Sequence, residues 1–227
     1  MLEVPLVSVV IPVFNGERYL LAALESVACQ TFTPLEVIVV DDGSTDGSVA
    51  IAKQFPRFRL IVAPHLGVSA ARNRGVDASS GRYIAFLDAD DTWYPDKIAE
   101  QVALAEREPR PGLVTVLQDY RFEGPAPGWF RGPTDGSSEP GFMPSTWLIQ
   151  RECWDTVGPF DPAMNHAEDV DWLARARDLG VEFGTVQKLL ATRRIHEVNA
   201  SGVARESREG LLTALRGSLN RKHGAVR

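Results

Sequence analysis

Three carboxylates stand directly behind one apolar run: Asp88-Ala89-Asp90-Asp91 follows Tyr83-Ile84-Ala85-Phe86-Leu87. Carboxylates crowded at the exit of a buried strand repel one another unless a cation or hydrogen-bond donors offset their charge. Mg²⁺ and Mn²⁺ prefer hard oxygen ligands and keep positions open for phosphate oxygens and water. The tetrad is therefore a candidate site for a divalent metal carrying a diphosphate. The same residues would also make an ordinary acidic turn ahead of Thr92-Trp93-Tyr94-Pro95, and residue type alone leaves both readings open.

A second acidic turn, Asp41-Asp42-Gly43-Ser44, closes another apolar run. An ionised Asp there can accept the N3–H of uracil or thymine, a charge-assisted bond worth about 1.5 to 3 kcal/mol. Phe14, just past the first apolar run, can stack on a base or serve as plain core.

Elements that would position these groups follow from hydrophobic period. Residues 7–13 and 35–40 are apolar and β-branched almost throughout, the pattern of parallel strands covered on both faces. Between them Tyr19, Leu20, Ala23, Leu24 and Val27 recur at helical spacing, giving a crossover. The turn at 42–47 leads to a predicted helix over 49–55, a strand over 60–63, a helix over 69–78 and a strand over 83–87. This alternation specifies a doubly wound sheet, whose ligands bind beyond the carboxyl ends of the strands. The segments 12–17, 41–46 and 88–91 all fall at such ends. A helix over 95–108 closes this half. Residues 121–144 carry five prolines and five glycines and read as one long loop, either functional or disordered. A strand over 146–150 and helices over 151–157 and 166–179 complete the pattern.

Composition narrows the class. Of 227 residues, 44% are hydrophobic and 24% charged, the balance of a globular chain with a full core. A net charge of −6 opposes polyanion binding, so no nucleic-acid partner is expected. Cys29 and Cys153 form neither a disulfide framework nor a zinc motif, which fits a reducing cytoplasm. No run approaches the roughly 18 to 20 apolar residues of a transmembrane helix. Met1-Leu2-Glu3 leads into a strand-like run, not a charged leader. The expected location is cytoplasmic, with peripheral attachment to the inner membrane face as the limit.

Five segments then occur in order: Val-Ser-Val-Val-Ile-Pro-Val-Phe-Asn at 7–15, Gln-Thr-Phe at 30–32, Glu-Val-Ile-Val-Val-Asp-Asp-Gly-Ser-Thr-Asp at 36–46, Gly-Val-Ser-Ala-Ala-Arg-Asn-Arg-Gly at 67–75, and Gly-Arg-Tyr-Ile-Ala-Phe-Leu-Asp-Ala-Asp-Asp at 81–91. The series closely resembles the family 2 glycosyltransferases over roughly residues 6 to 200. The resemblance implies the α/β GT-A fold, a doubly wound, mostly parallel sheet flanked by helices. It further implies one domain over 1–227, with a Rossmann-like nucleotide-sugar half at 1–117, an acceptor and catalytic-base half at 118–210 and a C-terminal helix or tail at 211–227.

What the resemblance implies chemically is metal-dependent transfer from a nucleotide sugar, with inversion at the anomeric carbon. Mn²⁺ or Mg²⁺ is the implied cofactor. UDP-sugar is the favoured donor, then dTDP-sugar, then GDP-sugar. Carried over by position, Pro12, Val13 and Phe14 border the base, Asp42 reads its N3–H, and Asp41 and Glu17 support that pocket. Arg72 lies near the base or diphosphate, Asp88 meets ribose or metal, and Asp90 is the direct metal ligand. His166-Ala167-Glu168-Asp169-Val170-Asp171-Trp172 resembles the family's acidic motif and aligns Asp169 with the catalytic base. Within Arg193-Arg194-Ile195-His196-Glu197-Val198-Asn199-Ala200-Ser201, His196 would bind the metal or a phosphate oxygen. Arg74 reads as a helix-surface charge.

A general base at a helix start meets a physical objection, because the macrodipole there lowers a carboxylate's proton affinity. Burial with substrate would have to raise it. The acceptor, whether carbohydrate, lipid-linked, peptide or small molecule, is not legible, and Trp129, Phe142 and Trp147 can equally stack on a sugar or tether the loop to the core. Leu211, Leu212, Leu215 and Leu219, near Arg216, Arg221 and Lys222, form a helical stripe suited to core packing or a homodimer. Two other readings are a sugar-nucleotide pyrophosphorylase, which would need a Gly-rich, Arg-containing loop where Pro12-Val13-Phe14-Asn15-Gly16-Glu17 stands, and a non-catalytic nucleotide-sugar-binding module.

Overall fold

The computed structural model describes residues 4–107, 110–164, 166–197, 199, 210–214, 216–218 and 221. It opens with β1 (Val7–Val13), α1 (Leu20–Ala28), β2 (Leu35–Asp41), α2 (Ser48–Ala52), β3 (Arg59–Val62), α3 (Val68–Asp77) and β4 (Tyr83–Phe86). These match the expected series to within a few residues. Val7, Val9, Ile11 and Val13 of β1 enter one core with Leu20, Ala23, Leu24 and Val27 of α1. Val10 enters the opposite core, beside Val76 of α3. Alternate side chains of one strand are thus buried on both faces, which is why its sequence is apolar without a polar period. Gly75 lets α3 lie close on β1, since a Cβ there would collide with the Val10 side chain.

The second half is less regular. β5 (Thr92–Trp93), α4 (Lys97–Ala105), β6 (Leu113–Phe122), β7 (Glu139–Pro140), a 3₁₀ turn (Pro144–Thr146), β8 (Leu148–Gln150), α5 (Arg151–Val157), α6 (Glu168–Asp178) and β9 (Phe183–Ile195) follow. β6 and β9 have no counterpart among the expected elements, and β7 lies within the segment expected to be one loop. The expected strand over 146–150 is split between the 3₁₀ turn and β8, because Pro144 starts a tight turn. All strands join one sheet, in the order β3-β2-β1-β4-β8-β6-β9-β5, with β7 paired to β6. Its long ladders, β1 with β2 and β6 with β9, are parallel.

Two links bring distant segments together. β5 pairs antiparallel with β9 through Thr92↔Thr192 and Trp93↔Ala191. That pairing carries the segment 88–91 to the carboxyl end of β9. On the other face, α6 is anchored by an aromatic cluster: Trp172 stacks on Trp154 at 5.8 Å and lies 5.5 Å from Trp147, with Phe160 beside them. Lys97 is fully buried, donating to Gln101 Oε1 at 2.7 Å beneath the Trp93 ring. Residues 210–214 and 216–218 are helical, and Ser218 and Arg221 reach Asp178 of α6, each at 2.9 Å. Leu215, Leu219 and Lys222 of the expected stripe lie outside the described residues. Among the described residues no helix is long and apolar enough to cross a membrane.

Candidate active site

A cavity of about 830 Å³ opens at the carboxyl ends of β1 and β4. Its wall is built from the first turn of α6, the end of β9 and the loop at 129–132. Pro12, Phe14, Arg72, Asp88, Asp90, Asp169 and His196 all line it. Seven residues singled out in five separate segments of sequence therefore meet around one space.

At the β4 tip, Asp88 Oδ1 accepts from Arg72 at 2.6 Å, and its backbone N–H donates to Ser145 Oγ at 3.1 Å. Asp90 Oδ2 lies 3.0 Å from His196 Nε2 and accepts from Asn199 Nδ2 at 3.1 Å. Asp91 turns inward, where Oδ1 accepts the Arg194 backbone N–H at 3.0 Å. Burial, then the charges of Asp90 and Asp88, push its carboxyl well above the ordinary range. Val198, Ala200 and Ser201 of the His196 segment fall outside the described residues.

Opposite, α6 is preceded by its cap residue Ala167, which has left-handed backbone with φ 63°. Asn15, across the cavity, is also left-handed with φ 49°, and these are the two non-glycine residues of positive φ among those described. Both line the cavity, and such strain concentrates at functional sites. Asp169 follows in the first turn, with Oδ1 taking the Val170 N–H at 2.8 Å. Burial, then the neighbouring Glu168 charge, push its carboxyl up to about 6, against the pull of Arg72 and that N–H. Desolvation thus raises the Asp169 carboxyl even though it stands in the first turn of a helix.

Arg72 joins the two sides. Only 3% exposed, it gives one guanidinium nitrogen to Asp88 and the other to Glu168, each at 2.6 Å. Burial alone would lower its proton affinity, but the two carboxylates outweigh that and hold it above its ordinary value. The Phe160 ring lies 5.5 Å from the guanidinium carbon.

The β2 tip is arranged differently. Asp42 is 4% exposed and accepts the Leu66 and Gly67 N–H groups on its two oxygens at 2.9 Å each. His65 Nδ1 sits 2.8 Å from its Oδ2. Asp41 accepts the Ser44 N–H at 3.1 Å and is buried. Glu17 accepts the Gly47 N–H at 2.9 Å, and Val13 points into the apolar core. None of Val13, Glu17, Asp41 and Asp42 is on the cavity wall. Backbone donors of the 43–48 and 65–67 turns engage these carboxylates, holding Asp41 and Asp42 buried and Glu17 at the exposed surface. Phe14 remains 47% exposed and stacks on His65 with ring centroids 4.0 Å apart.

The donor set at the β4 tip suits a hard cation. No guanidinium or ammonium of the described residues pairs with the Asp90 carboxylate, although it stands next to Asp88 and Asp91. Among the described residues, buried His196 Nδ1 finds no hydrogen-bond partner. Among the described residues no three metal-binding side chains already converge. The protein would therefore provide one or two ligands and leave the remaining positions to phosphate oxygens and water, as Mg²⁺ and Mn²⁺ favour.

Several participants were not singled out from sequence. Glu168 and Asn199 sat inside motif segments without a role, and Ser145 lay in the Gly/Pro-rich stretch's exit. Their partners are 96 residues away for Glu168 and 109 for Asn199, a separation no local spacing reveals.

Comparison with known proteins bears on this arrangement. The family model described as glycosyl transferase family 2 matches residues 8–152. YibD of Escherichia coli (strain K12), an uncharacterized glycosyltransferase, is 37% identical over 146 residues, which are 62% of this chain and 42% of YibD. This chain therefore spans less than half of that relative's length. The mannosyltransferase PcManGT from Pyrobaculum calidifontis, in complex with GDP-Man and Mn²⁺, superposes with a TM-score of 0.74 at 18% identity, covering 96% of this chain and 65% of PcManGT. S. aureus TarS 1–349 in complex with UDP-GlcNAc gives a TM-score of 0.70 at 20% identity, covering 87% and 61%. These structural likenesses show the fold, the GT-A arrangement.

Proposed function

The chain belongs to glycosyl transferase family 2, and from that premise we propose that it transfers a sugar from a nucleoside diphosphate to an acceptor hydroxyl, with inversion and with a divalent cation. The carrying observation is that Asp90 and Asp169, in different halves of the sequence, line one cavity. Bound Mg²⁺ or Mn²⁺, held through Asp90 with Asp88 and His196 beside it, supplies charge stabilisation for the departing diphosphate.

The rest is done by the chain's own residues. Phe14, exposed at the cavity edge, offers a face for the base. Asp169 receives the acceptor's proton as the hydroxyl oxygen bonds to the anomeric carbon. The bond from that carbon to the diphosphate oxygen breaks on the opposite side, and its electron pair leaves with the nucleoside diphosphate. An affinity for protons near pH 6 leaves Asp169 mostly ionised at neutral pH yet basic enough to help, which is the compromise a general base needs. UDP-sugar is the favoured donor, with dTDP-sugar and GDP-sugar behind it. The related folds holding UDP-GlcNAc and GDP-Man support a nucleotide sugar without choosing the base.

The test is release of nucleoside diphosphate from UDP-GlcNAc, UDP-Glc, dTDP-Glc and GDP-Man in the presence of Mn²⁺. Release from at least one donor, abolished by excess EDTA, is expected, and undiminished turnover in chelator would remove the cation from the reaction. NMR should show the product with anomeric configuration opposite to the donor's. Retention would overturn the single-base mechanism.

A further inference from the structure

The Arg72–Glu168 pair takes no part in those bond and proton movements, yet among the described residues it is the most buried ion pair at the cavity. Arg72 and Glu168 are 3% and 8% exposed, 96 residues apart in sequence, and 2.6 Å apart in space. Arg72 comes from α3 in the doubly wound half, and Glu168 is the first residue of α6, directly before Asp169. The second guanidinium nitrogen is taken by Asp88. One side chain thus fixes the starting turn of α6 relative to the β4 tip, while a carboxylate is kept next to Asp169.

We infer that Arg72 and Glu168 are positioning residues for Asp169: the pair sets both where its carboxylate stands and how much negative charge surrounds it. The inference rests on Asp169 being the base. Burying two opposite charges is costly unless geometry is good, and stability alone gives weak grounds for keeping such a pair. Its location beside a proton acceptor supplies a reason. The groups facing Asp169 are Glu168 on its own helix, Arg72 from α3 and Asp88 from the β4 tip, with His166 on the same cavity wall. Glu168 and Asp88 hold the Asp169 proton more tightly and Arg72 loosens it. Partners of one salt bridge therefore act on Asp169 with opposite sign.

That opposition gives the test. The Asp169 carboxyl carbon is followed by ¹³C NMR through a pH titration of the free protein, in the wild type, Glu168→Gln and Arg72→Gln. The first substitution keeps the length of the side chain and an oxygen for Arg72 but removes the charge, so the midpoint should fall by about one pH unit, a tenfold weaker hold on the proton. Arg72→Gln leaves Glu168 and Asp88 uncompensated, and the midpoint should rise. The acid limb of donor turnover, read as UDP release from UDP-GlcNAc, should move in the same two directions. A purely structural pair would slow turnover in both variants without moving either midpoint, or would move both midpoints the same way, and either result overturns the inference. Should Arg72→Gln fail to fold, the direction of Glu168→Gln decides alone. Failure of the underlying reading looks different: Asp169→Asn would then turn over like the wild type, whatever the titrations show.

Discussion

The two acidic strand tips hold the same residue type through different donors. At the β2 tip, Asp42 spends both oxygens on backbone N–H groups and Asp41 is buried against its own turn. At the β4 tip, Asp88 and Asp90 are held by side chains from α3 and from the end of β9, and they face open space. Backbone donors are fixed by the fold, so the first arrangement sets the shape of the loops. Side-chain donors can exchange, so the second can pass its oxygens to a ligand. An acidic doublet after a strand thus tells nothing by itself. Which donors reach it decides.

The contrast breaks most visibly in rate. Asp169→Asn, opposite the β4 tip, should lower transfer by about 10² to 10⁴ and leave UDP binding within about twofold, as read by steady-state turnover and calorimetry. Asp42→Asn, assayed where it is folded, should lose far less. If it loses as much, the β2 tip belongs to the chemistry and the contrast fails.

Stability should show the reverse order. Asp42→Asn turns an amide N–H toward one of the two backbone donors, so urea denaturation should show a loss of about 1.5 to 3 kcal/mol. Asp90→Asn relieves repulsion from Asp88 and Asp91 and should leave the urea midpoint unchanged or higher. A loss as large as that of Asp42 would mean that the β4 tip, too, is built for shape.

The smallest effect isolates Asp169 by pH. Its carboxyl is raised to about 6 in the folded protein, against roughly 4 in an unfolded chain. A raised group costs nothing below the unfolded value, where both states are protonated, and its ionised form weighs against folding as pH climbs past the folded one. Asp169→Asn mimics the protonated form, so its Tm should exceed the wild type's by a few degrees at pH 7 to 8. The gain should disappear near pH 4. A gain that persists there would place its origin outside ionisation.

Legibility from sequence follows the same divide. β1, β2 and β4 are continuous apolar runs because both their faces are covered, and each is legible nearly residue for residue. β9 alternates poorly between buried and exposed, and its ladder with β6 shifts register around Leu117. Without a period of two, no strand announces itself. The end of β9 is what brings His196 and Asn199 to Asp90, so the residue types of the site are readable while the contacts joining them are not. Asp42 teaches the complement. Its motif is plain, but that the Leu66 and Gly67 N–H groups reach it is a property of tertiary structure.

The stacked indoles under α6 carry a practical consequence. Trp154 and Trp172 lie 5.8 Å apart, their planes meeting at 20°. Chromophores so close couple their transitions, so the pair should give a signed doublet in the aromatic circular dichroism. Trp172 rides on the helix that starts with Glu168 and Asp169, and the doublet is therefore an optical gauge of whether the first turn of α6 is seated, readable without any substrate at all.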